Sequence, residues 1–368
     1  MIKVLFLIHD LGQGGAEKVL VNLVNNMDSK KFDVSVVSIF GGGVNEQFLK
    51  PHIKYRAVFK KAFPGNSKIM KLFSPSFLHK LCVKEHYDIE VSYLEGPSAR
   101  IISGCPYEDT KLVSWIHCTM KSEEDVALGF RNVKEAKECY DKFDCSAFVS
   151  KGVRNAFVNA CNYGGPTHVL YNTIESELII NKSKELCKGI THNELKLIAA
   201  GSLKQVKGFD RLLRIAKRLK DDGENFHLYI LGIGPMKDEM EEYIKVNEIN
   251  DKVTLLGYDT NPYKYILRCD LFVCSSYSEG FSTAATEALI VGTPVVTVEV
   301  SGMKEMLGEN NEYGIVTENT EEALYEGIKK MISTPGMLED YSKRAEERGK
   351  YFSTENTVKA VQSMFESL

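Results

Sequence analysis

The sequence predicts an α/β protein of two doubly wound parallel-sheet domains, and three observations carry that prediction. Short apolar, β-branched runs alternate with longer segments of helical period through both halves of the chain, which is the pattern of parallel strands covered by helices. At 368 residues the chain exceeds one comfortable hydrophobic core, and a domain of about 100–200 residues fits into it twice. The most polar and least strand-like stretch, residues 171–194, falls between two series of strands.

The first strand is expected at 2–8, around VLFLI; this apolar run is too short for a signal sequence and is interrupted at once by His9 and Asp10. Further strands are expected at 33–39, 88–93, 111–116 and 145–149, then at 195–200, 226–231, 253–256, 270–274 and 294–298. The expected domains are 1–170 and 171–350. Residues 351–368 form an amphipathic tail helix with Ser353 or Thr354 as its N-cap, expected either to pack locally or to cross back onto the first domain. No stretch approaches the ~18–20 apolar residues of a membrane span, so a cytoplasmic protein is expected, soluble or peripheral on the inner face of the cell membrane.

A hydrophobic share of 43% and a charged share of 26% exclude disorder and repeat polymers. The nine cysteines never form a CxxC pair and read as reduced thiols without a zinc or redox role. The net charge of -4 hides a basic first half and an acidic second half. Residues 47–84 contain no acid, yet hold Lys50, Lys54, Arg56, Lys60, Lys61, Lys68, Lys71, Lys80 and Lys84, interleaved with Phe59, Phe63, Ile69, Leu72, Phe73 and Phe77. Lys68, Lys71, Leu72 and the stretch 77–84 fit helical faces, and a basic face with aromatic edges is expected to bind an anionic membrane surface, each lysine contributing about 1 kcal/mol. The plainer alternative is a core helix with a solvated lysine face. Nucleic acid is not an expected partner, because the total charge is negative and no recognition module is visible.

In parallel sheets ligands bind at the carboxyl ends of strands, so chemistry is sought in the loops that follow them. The stretch SEGFSTAATEALIVGTP, 278–294, leaves a strand and enters a helix capped by Ser282 or Thr283. The positive end of that helix favours an anion such as a phosphate, and Gly280 with its small neighbours lets the anion approach the backbone. Glu279 precedes the helix and Glu287 lies inside it, two carboxylates able to accept hydrogen bonds from sugar hydroxyls. Lys207, before Gly208 and the helix FDRLLRIAKRL, is a compact cation suited to a phosphate oxygen.

Together these motifs carry a resemblance. Glu279-x7-Glu287 followed by GTPVV, G-x-L-x3-KGFD at 201–210, LGIGP at 231–235 and GGAEKVL at 14–20 occur in an order and spacing that resemble glycosyltransferase family 4 over nearly the whole chain. The resemblance implies a GT-B fold, two Rossmann-like domains facing a central cleft, and retaining transfer of a hexosyl or N-acetylhexosaminyl group from a nucleotide diphosphate sugar. UDP is the expected nucleotide, and a cell-envelope glycan or lipid-linked saccharide the expected acceptor. It further implies that Glu279 contacts donor-sugar hydroxyls, Glu287 holds the ribose, and amides around Gly280, Phe281, Ser282 and Thr283 face the diphosphate. Lys207 neutralises the leaving group, Gly14 and Gly15 approach the donor phosphates, and Gly232 and Gly234 belong to the donor-binding set. His117, at the end of an apolar strand, faces the reacting sugar. Asn172 matches a recurrent asparagine, read here as a structural turn residue, and His9 and Glu95 read as solvated or packing residues.

One departure is Ser202, where the family commonly has arginine; a hydroxyl carries no charge and shifts the load to Lys207 and backbone amides. The GTPVV strand is followed by Gly302 alone rather than paired glycines. No Asp-x-Asp occurs, so no metal or other cofactor is expected. Rival readings differ in class. A NAD enzyme is disfavoured because Glu17 stands where the third fingerprint glycine belongs. An epimerase or phosphorylase of the same architecture, and a noncatalytic subunit docking a partner transferase at a membrane, are the other two.

Overall fold

The computed structural model describes all 368 residues, Met1–Leu368, as two units: 1–174 with 354–368, and 175–353. In the first unit β1 (Ile2–Ile8), β2 (Phe32–Phe40), β3 (Lys54–Phe59), β4 (Ile89–Ser92), β5 (Lys111–Ile116), β6 (Cys145–Phe148) and β7 (Thr167–Val169) form one sheet in the order β3-β2-β1-β4-β5-β6-β7. In the second, β8 (Leu195–Ala200), β9 (Phe226–Leu231), β10 (Val253–Gly257), β11 (Leu271–Cys274), β12 (Val295–Val298) and β13 (Ile315–Thr317) are ordered β10-β9-β8-β11-β12-β13. Every neighbouring pair is parallel. Strand order reverses beside β1 in one sheet and beside β8 in the other, and these reversals are where parallel sheets hold ligands.

The central strands are apolar on both faces because helices cover both. Val4 to Ile8 are wholly buried, and so is every residue of β9. Each expected strand formed, its ends either unmoved or shifted by one residue. Three strands were not expected. β3 is KYRAVF with no buried residue, and β7 (THV) and β13 (IVT) have three residues each. All three are edge strands, which lack the continuous apolar run of an interior strand.

β3 also corrects the helical reading of the basic stretch. Only Asn66–Met70 and Pro75–Cys82 are helical there, so Lys71, Leu72 and Lys84 lie outside the helices. The polar stretch 171–194 holds a helix of its own, Ser176–Ser183.

The tail helix Thr354–Glu366 packs within the first unit. Phe365 meets Phe6 and Phe32 at ring-centroid distances of 5.9 and 6.2 Å, Cys145 Sγ lies 3.9 Å from Met364 Sδ, and Thr354 Oγ1 donates to the Ile174 carbonyl at 2.7 Å. Phe365 is buried between β1 and β2. Phe365→Ala should therefore lower the unfolding free energy of the first unit by about 3–5 kcal/mol, as measured by urea denaturation followed through Trp115, the chain's one tryptophan, which sits on β5 of the same sheet.

Candidate active site

In the second unit the loops after β8 and β11 are pressed together by backbone geometry. Gly208 is left-handed, with φ 63°, and a Cβ there would lie 2.0 Å from the Ser275 carbonyl, so only glycine allows the approach. Arg211, one turn into the helix Phe209–Asp221, is 2% exposed. Its Nε donates to the Ser275 carbonyl and a terminal nitrogen to the Ser276 carbonyl, both at 2.7 Å, while the other reaches Asn319 Oδ1 at 2.8 Å. Burial lowers the pKa of this guanidinium, but it stays charged.

Those contacts set Lys207 against Glu279. Lys207 Nζ lies 2.6 Å from Glu279 Oε1, which also accepts from Ser276 Oγ at 2.6 Å. Ser275 Oγ donates to the Lys207 carbonyl at 3.0 Å. Four residues after Glu279 the helix Thr283–Ile290 begins, capped by Ser282, whose Oγ accepts from Ala285 N at 3.3 Å. Of the two expected caps, Ser282 is the one used. Phe281 is buried against Phe352, with ring centroids 5.6 Å apart. Glu287 is buried on the same helix, where Tyr263 Oη donates to its Oε1 at 3.4 Å.

Gly232 and Gly234 have a packing reason to be glycine. A Cβ at Gly232 would lie 1.8 Å from the Gly201 carbonyl, and one at Gly234 would lie 2.5 Å from that of Leu203. These glycines thus let the β9 exit loop support the β8 exit loop. Ser202 is exposed in the latter. Sequence reasoning missed Arg211, Ser276 and Tyr263. The available signal was periodic: Arg211 shares the buried stripe of its helix with Ile215, four residues on.

In the first unit, Gly14 caps the helix Gly15–Asn26, and a Cβ on it would strike the Glu17 carboxylate at 1.9 Å. Asp10 accepts from His9 Nδ1 and from the Gly12 amide, both at 2.7 Å, and so orders the loop before that helix. His117 follows β5 and is 9% exposed, against the rings of Tyr93 and Trp115. Its backbone N–H donates to Glu95 Oε2 at 3.0 Å, and its Nε2 has no hydrogen-bond partner. Burial pulls the imidazole down to about 4, so it is neutral at pH 7. Asn172 is also buried, with Oδ1 unpartnered.

Two Rossmann-like parallel-sheet halves are shared with solved glycosyltransferase structures. Anabaena HepE in complex with UDP is 19% identical with a TM-score of 0.79, all of both chains being covered. Sucrose-phosphate synthase of Thermosynechococcus elongatus is 17% identical with a TM-score of 0.80, covering 99% of this chain and 98% of that one. The fold and strand-end loops thus define an α/β protein of the GT-B class. The pattern of the group 1 glycosyl transferases matches residues 183–348. An N-acetylgalactosamine-N,N'-diacetylbacillosaminyl-diphospho-undecaprenol 4-alpha-N-acetylgalactosaminyltransferase of Campylobacter jejuni is 30% identical over 362 residues, 96% of each chain. The chain belongs to the group 1 glycosyl transferases, and is a glycosyltransferase acting on nucleotide sugars.

A buried neutral histidine ties stability to pH. The His117 pKa is lowered from 6.5 to about 4, so its contribution is complete above pH 6.5 and is lost as pH falls toward 4, by about 3 kcal/mol when fully protonated. His227, also pulled to about 4 by burial, acts in the same sense. Denaturation measured between pH 7 and 4 should show this loss, with a flatter profile in His117→Gln.

Proposed function

We propose that the chain is a retaining, family 4 transferase moving a hexosyl or N-acetylhexosaminyl group from a UDP-sugar to a hydroxyl of a lipid-linked glycan, in capsular, exopolysaccharide or other envelope-glycan synthesis. The Lys207–Glu279 contact of 2.6 Å, held at the carboxyl ends of β8 and β11, carries this reading. A bound diphosphate would share the ammonium with Glu279, leaving the carboxylate to accept from sugar hydroxyls. The name of the Campylobacter jejuni relative, with its diphospho-undecaprenol-linked acceptor, and the UDP of the HepE complex support the substrate classes.

On this reading the bond from the anomeric carbon to the phosphate oxygen breaks and a bond to the acceptor oxygen forms on the same face. The acceptor proton passes to the departing phosphate oxygen. Lys207 and the first-turn amides of the helix Thr283–Ile290 meet the charge released. Glu287 takes the ribose hydroxyls. In the first unit, Gly14 and Gly15 are assigned to a phosphate oxygen and His117 to a sugar hydroxyl. His117's neutral imidazole can donate or accept there, and its Nε2 is not already engaged. The absence of an Asp-x-Asp pair argues for metal-independent chemistry.

The basic stretch is assigned to an anionic membrane surface. Phe59 and Phe63 pack inward on Phe40, Lys54 pairs with Asp33 and Arg56 donates to the Cys82 carbonyl, so part of the stretch is structural. What remains outward is a tip where Leu72 is 76% and Phe77 51% exposed, with Ile69 and Phe73 beside them and Lys68, Lys71 and Lys80 around. Arg131 binds the carbonyls of Lys71, Leu72 and Phe73 at 2.6, 3.1 and 3.0 Å, and Arg100 those of Met70 and Phe73 at 3.0 and 2.6 Å. The tip is therefore preorganised, and insertion would not have to order it. No helix is long and apolar enough to cross a membrane.

Two outcomes test this reading. Lys207→Ala should lower kcat by about 10²–10³-fold, with neither Mg²⁺ nor Mn²⁺ restoring turnover, when UDP release is followed in the presence of acceptor; release that ignores the substitution would refute the assignment. The wild-type chain should sediment with phosphatidylglycerol vesicles and not with phosphatidylcholine alone, and Leu72→Asp with Phe77→Asp should abolish that binding. Equal sedimentation of wild type and double variant would remove the membrane surface.

A further inference from the structure

Away from the strand-end loops, three side chains of different chemistry converge beneath the first sheet. His79 belongs to the helix Pro75–Cys82, Glu90 to β4, and Cys105 follows the helix Pro97–Ile102. His79 Nε2 is 2.7 Å from Glu90 Oε2, and Cys105 Sγ is 3.7 Å from Glu90 Oε1. Their ligand atoms all lie within 4.8 Å of one another. Glu90 is wholly buried and His79 is 3% exposed, while Cys105 is half-buried. The meeting is built into the backbone. Gly104 stands where a Cβ would lie 2.3 Å from the Pro75 carbonyl, so glycine alone lets the chain before Cys105 press against the start of the His79 helix.

We infer that His79, Glu90 and Cys105 form a zinc site, with water in the fourth position on the half-buried Cys105 side. An imidazole nitrogen, a carboxylate oxygen and a thiolate are the ligand types zinc takes, at about 2.0–2.3 Å. Tetrahedral ligands at those lengths stand about 3.3–3.7 Å apart; one ligand atom from each residue already lies within 4.8 Å of the other two, so side-chain shifts of about 1 Å bring the set to that spacing. On binding, Zn²⁺ takes the place of the hydrogen between Nε2 and Oε2, the imidazole staying neutral with its hydrogen on Nδ1, and the thiol hydrogen leaves as a proton. A dication against one carboxylate and one thiolate gives a neutral set, which suits a buried position. The site would hold together β4 and the two helices beside it, and it stands apart from the metal-independent transfer chemistry proposed above.

The experiment uses the full chain, stripped with a chelator and reloaded with zinc or, as a spectroscopic probe, Co²⁺. One zinc per chain is expected after dialysis, together with a melting-temperature rise of about 5 °C and a thiolate-to-cobalt charge-transfer band. Cys105→Ser leaves the His79–Glu90 hydrogen bond in place; it should melt like the metal-free wild type, lose the band and bind zinc at least about 100-fold more weakly. His79→Gln gives the same reading from a second ligand. Failure of the wild type to retain zinc, or survival of the cobalt band in Cys105→Ser, overturns the site.

Discussion

The second unit depends on one buried guanidinium. Arg211 binds two successive carbonyls at the exit of β11, and without it both would be buried acceptors lacking a partner, at about 1–3 kcal/mol each. The Lys207–Glu279 pair, with side chains 28% and 11% exposed, joins the same two loops. Arg211 and the left-handed Gly208 position the pair. A hidden constraint thus supports a contact that is itself partly open to solvent.

The first unit uses burial in another way. His117 is kept neutral by its surroundings, not by a paired charge, and its open nitrogen is poised at a strand end. Close by in the sequence, Arg100 is fixed by Glu135, and it nails down a carbonyl-rich tip whose side chains remain outside. In both places the protein spends buried polar groups on the backbone so that a few side chains stay available.

Much of this was legible in the sequence, for definite reasons. Interior strands such as β1 and β9 declare themselves because they are apolar on both faces. β3, β7 and β13 do not, because an edge strand of mixed polarity looks like a loop. Lys207 and Glu279 were identifiable as strand-end residues, but not as partners, since 72 positions separate them. Arg211 was hidden by its type: a charged residue in an amphipathic helix reads as solvated unless its place on the buried stripe is noticed. Gly232 and Gly234 looked like ligand glycines, and the structure supplies a packing cause for both.

The chain leaves its first unit after Ile174 and re-enters it at Thr354. The second unit is therefore an uninterrupted stretch, complete as soon as residue 353 is available, while the first lacks the wall formed by Val358, Val361, Met364 and Phe365 until residues 354–366 have followed. During vectorial synthesis on the ribosome the order of maturation is then inverted. The half begun earliest is sealed last, and for the length of some 180 codons its aromatic floor around Phe6 and Phe32 stands open to chaperones.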